Sequence, residues 1–339
     1  MALSMKPTGW FQIGWSAELA VGEVKPMLYF GQDLVAYRTV SGRLVVLNAY
    51  CEHLGANLAY GGKVQGDDIE CPFHNWRWSP EGRNTCIPYQ DSTNRVRRIQ
   101  SWSVQEMDGV MYLWHDAEGN SPQYPVPSVF GLFEESGPRE RYHETYPDGI
   151  FEKGELPVHP QYVIENGVDF AHFKYVHRTD EIPTVTMREF GEHTLQTELA
   201  LKYKHRNESG EIVTVHGITK GYLLGVGISY SYASGVGEIC SLTAVTPIDD
   251  KKSVVRFSAW ASREADDDQM LAKRRRSAIS QLKADVAIWE HQRYTEPPGL
   301  ATAEAAGFRE IRQWARRFYP EGQRGHDAKE QFAGSELVT

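Results

Sequence analysis

The chain has 339 residues, 41% hydrophobic and 12% aromatic, with 36 basic against 45 acidic side chains and a net charge of −9 at pH 7. That length holds two domains of ordinary size. The acidic balance and the lack of a long basic stripe argue against a nucleic-acid partner, and no apolar run approaches the roughly 20 residues of a membrane-spanning helix. Residues 1–9 lack a basic segment followed by an apolar stretch and a small-residue cleavage site, so a cytoplasmic location is the default expectation.

From Trp10 to about His115 the sequence breaks into short β-branched and aromatic segments, such as Leu34–Val40 and Gly109–Trp114, separated by Gly, Asp and Asn turns. This pattern predicts an antiparallel β domain. Inside it, Cys51-Glu52-His53 is followed, after seventeen residues, by Cys71-Pro72-Phe73-His74. Each loop thus supplies one thiolate and one imidazole, which is the ligand set of a Rieske [2Fe–2S] cluster: two cysteines on one iron, two histidines on the other. Two cysteines and two histidines also suit tetrahedral zinc, but common structural zinc sites pair like with like, as Cys-x-x-Cys and His-x-x-x-His. Cys86 and Cys240 lie far apart in sequence and read as packed thiols.

Residues 116–147, rich in proline, glycine and glutamate, cannot hold a long helix and read as a connector. Beyond it, Val163–Tyr175 has helical character and strand-like runs follow between about Thr194 and Ala261. A long helix is expected from roughly Asp266 to His291, opened by acidic residues, then an amphipathic helix over Ala301–Phe318. The domain boundaries expected are 8–117, a connector over 118–147, 148–320, and a polar, disordered tail over 321–339. The run Lys273-Arg274-Arg275-Arg276 reads as a solvated helix face, with contact to an acidic redox partner as the alternative. There is no Gly-x-Gly-x-x-Gly loop, so NAD(P)H is not expected to bind and reducing equivalents must come from another protein.

Within Glu165–His177, His172 and His177 are five residues apart. On a regular helix they point about 140° apart, so they share a metal only if the helix ends or distorts between them. Asp169, three residues before His172, is placed to accept the ring N–H left free by metal binding, and Asn166 lies one turn further back. Dioxygen-activating mononuclear iron commonly takes two histidines and a carboxylate.

The boxes Cys51-Glu52-His53-Leu54-Gly55 and Cys71-Pro72-Phe73-His74-Asn75-Trp76 resemble those of Rieske non-haem iron oxygenases, and Glu165–His177 resembles that family's Glu-Asn-x-x-Asp-x-x-His-x-x-x-x-His motif. Rieske proteins of respiratory complexes carry one more cysteine in each box, where this chain has Ala56 and Phe73. The likeness is strongest to oxygenase components of 3-ketosteroid 9α-hydroxylases, carried by Cys71–Trp78, Trp114–Asn120 and Ile311–Tyr319.

The resemblance implies an α+β chain, with an N-terminal antiparallel β Rieske domain followed by a helix-grip (START-like) catalytic domain. It implies a cluster on Cys51, His53, Cys71 and His74, and mononuclear Fe(II) on His172, His177 and Asp285, the last drawn from the late helix. Asp169 and Asn166 are the implied catalytic residues, dioxygen the co-substrate, and a separate NAD(P)H-dependent reductase or ferredoxin the electron source. A homotrimer is implied too, His74 of one subunit facing Asp169 of the next. The expected reaction is hydroxylation of a bulky hydrophobic substrate, a 3-ketosteroid, in a pocket walled by sheet residues between Tyr203 and Trp260. Desaturation, demethylation and aromatic-ring attack are alternatives within the family. A pure electron carrier needs only the first 115 or so residues.

Overall fold

The computed structural model describes residues 3–207, 209–263 and 267–320. The tail expected over 321–339 lies outside the described residues. Strand β1 (Gly9–Trp15) is buried at every position, as is β10 (Val110–His115), its antiparallel neighbour. Between them in sequence, β2 (Val24–Tyr29), β3 (Gln32–Arg38) and β4 (Leu44–Asn48) make a three-stranded meander. The short strands β5 (Lys63–Gln65), β6 (Asp68–Glu70), β7 (Arg77–Trp78) and β8 (Asn84–Cys86) make a small sheet, and β9 (Val104–Met107) pairs with β10. The β2–β3 and β9–β10 hairpins close through Phe30-Gly31 and Asp108-Gly109, both residues of each pair at positive φ, the two-residue turn whose twist matches paired strands.

Residues 116–149 are irregular apart from three single 3₁₀ turns, as their prolines require. After β11 (Ile150–Leu156) come two short helices, α1 (Pro160–Glu165) and α2 (Ala171–Tyr175). The helical character expected over Val163–Tyr175 is therefore interrupted: residues 166–170 form a turn, so Asp169 and Asn166 do not share a helix face with His172. Strands β12 (Thr184–Phe190), β13 (Thr194–Arg206), β14 (Ile212–Leu224), β15 (Ile228–Ser234), β16 (Ile239–Pro247) and β17 (Ser253–Ala261) form an antiparallel meander, with β11 added beside β17.

Helix α3 (Asp268–Trp289) begins where the Asp267 carboxylate accepts the Met270 N–H at 2.7 Å, an N-cap that satisfies an otherwise orphaned donor. Its 22 residues span about 33 Å. Leu282, Val286 and Trp289 pack on Val245, Val255 and Phe257 of the sheet, and α4 (Ala305–Ala315) closes the far end with Ile311 and Trp314. A long helix laid on an antiparallel sheet is the expected α+β arrangement.

The two halves share one core. Trp10, Tyr112 and Trp114 pack with Tyr230, Leu242 and Trp260. Buried Arg256 of β17 donates to the Gln12 carbonyl at 3.0 Å, the Tyr29 hydroxyl at 2.8 Å and the Glu152 carboxylate at 2.6 Å. Trp15 donates its indole N–H to Ser258 Oγ at 2.8 Å. Burying a guanidinium is costly unless its donors are paired, and these partners pair it across the junction.

Cluster loops and candidate metal centre

The two cysteine–histidine boxes fold into the same turn. Cys51 N–H donates to Ala56 O and Gly55 N–H to Cys51 O, each at 2.9 Å; correspondingly, Cys71 donates to Trp76 O at 2.8 Å and Asn75 to Cys71 O at 3.1 Å. The fifth residue of each turn has positive φ, Gly55 at 77° and Asn75 at 55°, and Gly and Asn are the residues that enter this region at least cost. The turns bury both cysteines, 2% exposed each, and leave both imidazoles half-exposed at the tip. His53 stacks on Trp76 with centroids 4.3 Å apart, and meets the His74 ring at 4.8 Å.

The donor set fits a cluster with two sulfur and two nitrogen ligands. Trp78 donates its indole N–H to Cys51 Sγ at 3.3 Å, the kind of bond that tunes a cluster's sulfurs. A hydrogen bond with Cys51, its proton held by Cys51, lowers the Cys71 thiol to about 6 and raises that of Cys51. Buried His74 Nδ1 has no hydrogen-bond partner among the described residues, so a nitrogen stands ready for a ligand bond. Phe73, one of the positions where respiratory Rieske proteins have a cysteine, is 60% exposed. Cys86 and Cys240 are free thiols, Cys240 buried, as expected of packed cysteines.

The second constellation is assembled by helix termination. Val176 and His177 both direct their N–H to His172 O, at 2.7 and 3.4 Å, so the last turn of α2 widens. Arg178 then takes φ 63° and Thr179 N–H reaches back to Phe173 O at 3.2 Å, the closure of a left-handed helix cap. This end swings His177 round to His172, whose ring it meets at 4.9 Å. Asp285 of α3 completes the group. One ligand-type atom from each of His172, His177 and Asp285 lies within 4.8 Å of the others, and His177 Nε2 is 3.4 Å from Asp285 Oδ1.

His172 Nδ1 lies against the main-chain carbonyl of Asp169, leaving Nε2 for the centre of the group. The Asp169 carboxylate instead accepts the His172 backbone N–H at 3.3 Å. The contact expected between that carboxylate and the ring is thus replaced by one from the carbonyl, because Asp169 sits in the turn rather than one helical turn below. Asn166 is the C-cap of α1. Burial lowers the His172 pKa, and the Asp285 charge opposes that shift. His177 Nδ1 is buried without a partner among the described residues. Two imidazoles beside a carboxylate suit a divalent metal ion.

Sequence reasoning overlooked what fixes this turn. Val168 and Asp169 both donate backbone N–H groups to Glu165 O at 3.1 Å. The buried Glu165 carboxylate is gripped by Arg312 of α4 at 2.8 and 3.0 Å. Glu165 opens the motif and Arg312 lies in the late Ile311–Tyr319 stretch, but nothing in either segment says that they meet.

A cavity of about 570 Å³ opens onto His177 and Phe173, between α3 and the sheet. Leu201, Tyr203, Thr219, Ala233 and Ile239 line it, inside the range expected for the pocket walls apart from Leu201. Lys273 and Arg274 also line it, while Arg275 bonds the Glu144 carbonyl and lies 3.6 Å from Asp148. The basic run is therefore not simply a solvated face. A larger cleft of about 780 Å³ beside β9 contains none of the metal-ligand residues.

Residues 9–103 match the family described as the Rieske [2Fe–2S] domain, and residues 113–319 match the 3-ketosteroid 9α-hydroxylase C-terminal domain. A Rieske domain joined to an oxygenase catalytic domain defines a Rieske-type oxygenase, an oxidoreductase. The chain belongs to the branch of these oxygenases whose catalytic domain is of the 3-ketosteroid 9α-hydroxylase family.

Among its relatives, the oxygenase component of a Rhodococcus rhodochrous 3-ketosteroid-9-alpha-monooxygenase is 27% identical, over 92% of this chain and 83% of the relative. A cholesterol 7-desaturase of Bombyx mori is 29% identical over 93% and 70%. Solved structures with the same fold include dicamba monooxygenase bound to 3,6 dichlorosalicylic acid, at 16% identity, TM-score 0.69 and coverage of 93% of this chain and 99% of that one. Pseudomonas putida CBB5 NdmA with caffeine has 17% identity, TM-score 0.67 and coverage of 91% and 89%.

Proposed function

We propose that this chain is the terminal oxygenase of a multicomponent system, which takes electrons from a separate NAD(P)H-dependent reductase or ferredoxin and hydroxylates a bulky hydrophobic substrate of the 3-ketosteroid class. In this reading Cys51, His53, Cys71 and His74 hold the [2Fe–2S] cluster, and His172, His177 and Asp285 hold mononuclear Fe(II). Iron bound there supplies reductive activation of dioxygen, the co-substrate. The observation that carries the reading is the convergence of His172, His177 and Asp285, with His177 lining a largely apolar cavity, in a chain with a Rieske domain.

The protein's own part is positioning. The Asp169 carbonyl orients the His172 ring, as an outer partner of a metal-bound imidazole does. Phe173, Leu201 and Ile239 offer apolar surface that keeps water from the reacting carbon. Leu54, Tyr60, Phe73 and Tyr89 stand exposed on and around the cluster loops, an apolar patch suited to burial against another subunit. That patch supports a homotrimer in which His74 of one subunit faces Asp169 of its neighbour.

A second reading is favoured by one observation, the relatives named as cholesterol 7-desaturases: the same residues would then remove two hydrogens from a sterol. Iron and sulfide analysis is expected to give about three irons per chain, two in the cluster and one mononuclear. Turnover of androst-4-ene-3,17-dione with a matched reductase, followed by mass spectrometry, separates the reactions. Gain of one oxygen supports the hydroxylase, and loss of two hydrogens the desaturase. Turnover confined to small monocyclic aromatics would overturn the steroid assignment.

A further inference from the structure

The cavity beside α3 meets the candidate metal centre along a narrow front. Of the three ligand-type residues His177 lines the cavity, whereas His172 and Asp285 do not. Each of those two is in contact with a residue that does. Asp285 Oδ1 lies 3.4 Å from His177 Nε2, and the His172 ring packs against Phe173 with centroids 4.5 Å apart. Phe173 also meets the His177 ring edge-on at 5.4 Å. Among the described residues it is the only one that both lines the cavity and makes ring contact with both imidazoles. From the cavity, His172 is thus reached past Phe173, and Asp285 past His177.

The backbone holds the ring in this place. Phe173 follows His172 in α2, and its carbonyl accepts the Thr179 N–H at 3.2 Å in the cap that ends the helix. The next two side chains, Lys174 and Tyr175, are exposed. The same helix end that brings His177 round to His172 therefore fixes Phe173 beside both. A phenyl ring is a large apolar body, and its position bears directly on reactivity. Reaction needs the reacting atoms within about 3–3.5 Å, and a misplacement of about 1 Å can cost a hundredfold in rate. On a rigid fused-ring body, neighbouring carbons are brought to the metal centre by shifts of that size. The side chain that stops the body's advance decides which carbon reacts.

Resting on the oxygenase reading above, we infer that Phe173 is a specificity-determining residue: it is the stop against which a rigid polycyclic substrate rests, and it selects the carbon that is oxidised.

The test uses the purified holoenzyme with a matched reductase and compares the parent chain with Phe173→Leu and Phe173→Ala. Androst-4-ene-3,17-dione and phenanthrene are the probes, and the ratio of positional isomers among the oxygenated products is read by mass spectrometry and NMR. A second readout needs no turnover: the mononuclear site is emptied and reloaded with Co(II), and its EPR signal is recorded with and without the steroid while the cluster is oxidised and silent. The parent should give one main isomer. Phe173→Leu should shift the isomer ratio by about tenfold, the lower range for a small change in an apolar pocket wall, and Phe173→Ala by more. Mononuclear metal content and the substrate-free Co(II) signal should stay as in the parent, while the steroid-bound signal changes. An isomer ratio that matches the parent in both variants overturns the inference, whatever the Co(II) signal. Loss of the metal from both variants overturns it too, since Phe173 would then be a support of the histidines and no more. Oxygenation of phenanthrene, with neither product nor Co(II) response from the steroid, would sink the steroid reading, and Phe173 would stand or fall on the phenanthrene isomers. No oxygenated product from either probe, with a steroid-induced Co(II) signal that the variants change, supports Phe173 as the stop and counts against the hydroxylase reading.

Discussion

In the cluster loops each half of the site is local: a six-residue turn carries its own hydrogen bonds, its positive-φ residue and its two ligand-type side chains. The candidate metal centre has no such unit. His172 and His177 meet only because α2 ends in a widened turn, and Asp285 arrives on a helix more than a hundred residues later. A local site needs only the turn to form; a distributed one needs α1, α2, α3 and the sheet to be packed. The first is therefore expected to tolerate damage elsewhere in the chain, and the second to report it.

The sharpest way to break that comparison is to empty one site and watch the other. His172→Ala or His177→Ala should remove the mononuclear iron and cut product formation by more than about a hundredfold, while the visible and EPR spectra of the cluster persist. Metal analysis and spectroscopy on one preparation decide it. Loss of the cluster signal would mean that the two sites are not independently built.

The same contrast accounts for what was legible in the sequence. The cluster ligands and the β domain could be read because alternation, turn residues and ligand spacing all act within a few positions. The two histidines could be read as a candidate pair, and the requirement that the helix end between them is met by Arg178 at positive φ. Which atom of Asp169 faces the ring could not be read, since it depends on residues 166–170 leaving the helix under the grip of Glu165 and Arg312. Lys273 was hidden for a similar reason: helical periodicity places it on a face, and only the packing of α3 on the sheet turns that face toward a cavity.

The distributed site should also inherit the acid sensitivity of its support. Buried His159, 7% exposed, caps α1 by accepting the Gln161 N–H at Nδ1 (3.0 Å), and its Nε2 donates to the Ser4 carbonyl at 2.8 Å, so its ring is neutral. Burial pulls its pKa down to about 4 from 6.5. A folded state that favours the neutral ring is fully stabilised above pH 6.5, and the contribution is lost as pH falls toward 4. The loss is at most about 3 kcal/mol. Calorimetry across that interval should show the destabilisation, and His159→Asn, which can still cap, should flatten it. An unchanged acid limb in that variant would place the sensitivity elsewhere.

Asp169→Asn asks whether the carbonyl or the carboxylate matters at the metal centre. Because the contact to the His172 ring comes from the main chain, the variant should keep close to the full mononuclear iron content. Product formation should nonetheless fall by about tenfold, within the range for loss of an outer partner, since the proposed contact with His74 of a neighbouring subunit needs the charge. Iron loss as large as in the histidine variants would make the carboxylate a direct ligand.

The smallest effect belongs to the pair of cluster turns, and it asks whether they are equivalent as well as alike. Gly55 and Asn75 occupy the same position of the same turn at positive φ. A methyl group added at Gly55 would meet nothing within 4 Å, so Gly55→Ala should cost only the conformational penalty, about 1 kcal/mol. Asn75→Gly relieves that penalty in the fold but loosens the unfolded chain by a comparable amount, and its net effect should lie within about 0.5 kcal/mol of zero. Thermal midpoints of the two variants, read beside their cluster spectra, check both. If the turns are equivalent, both spectra stay unchanged and only the Gly55 variant loses stability. A cluster lost from Gly55→Ala alone would show that the first loop is held by something beyond its backbone, and that the resemblance of the two turns is geometric without being energetic.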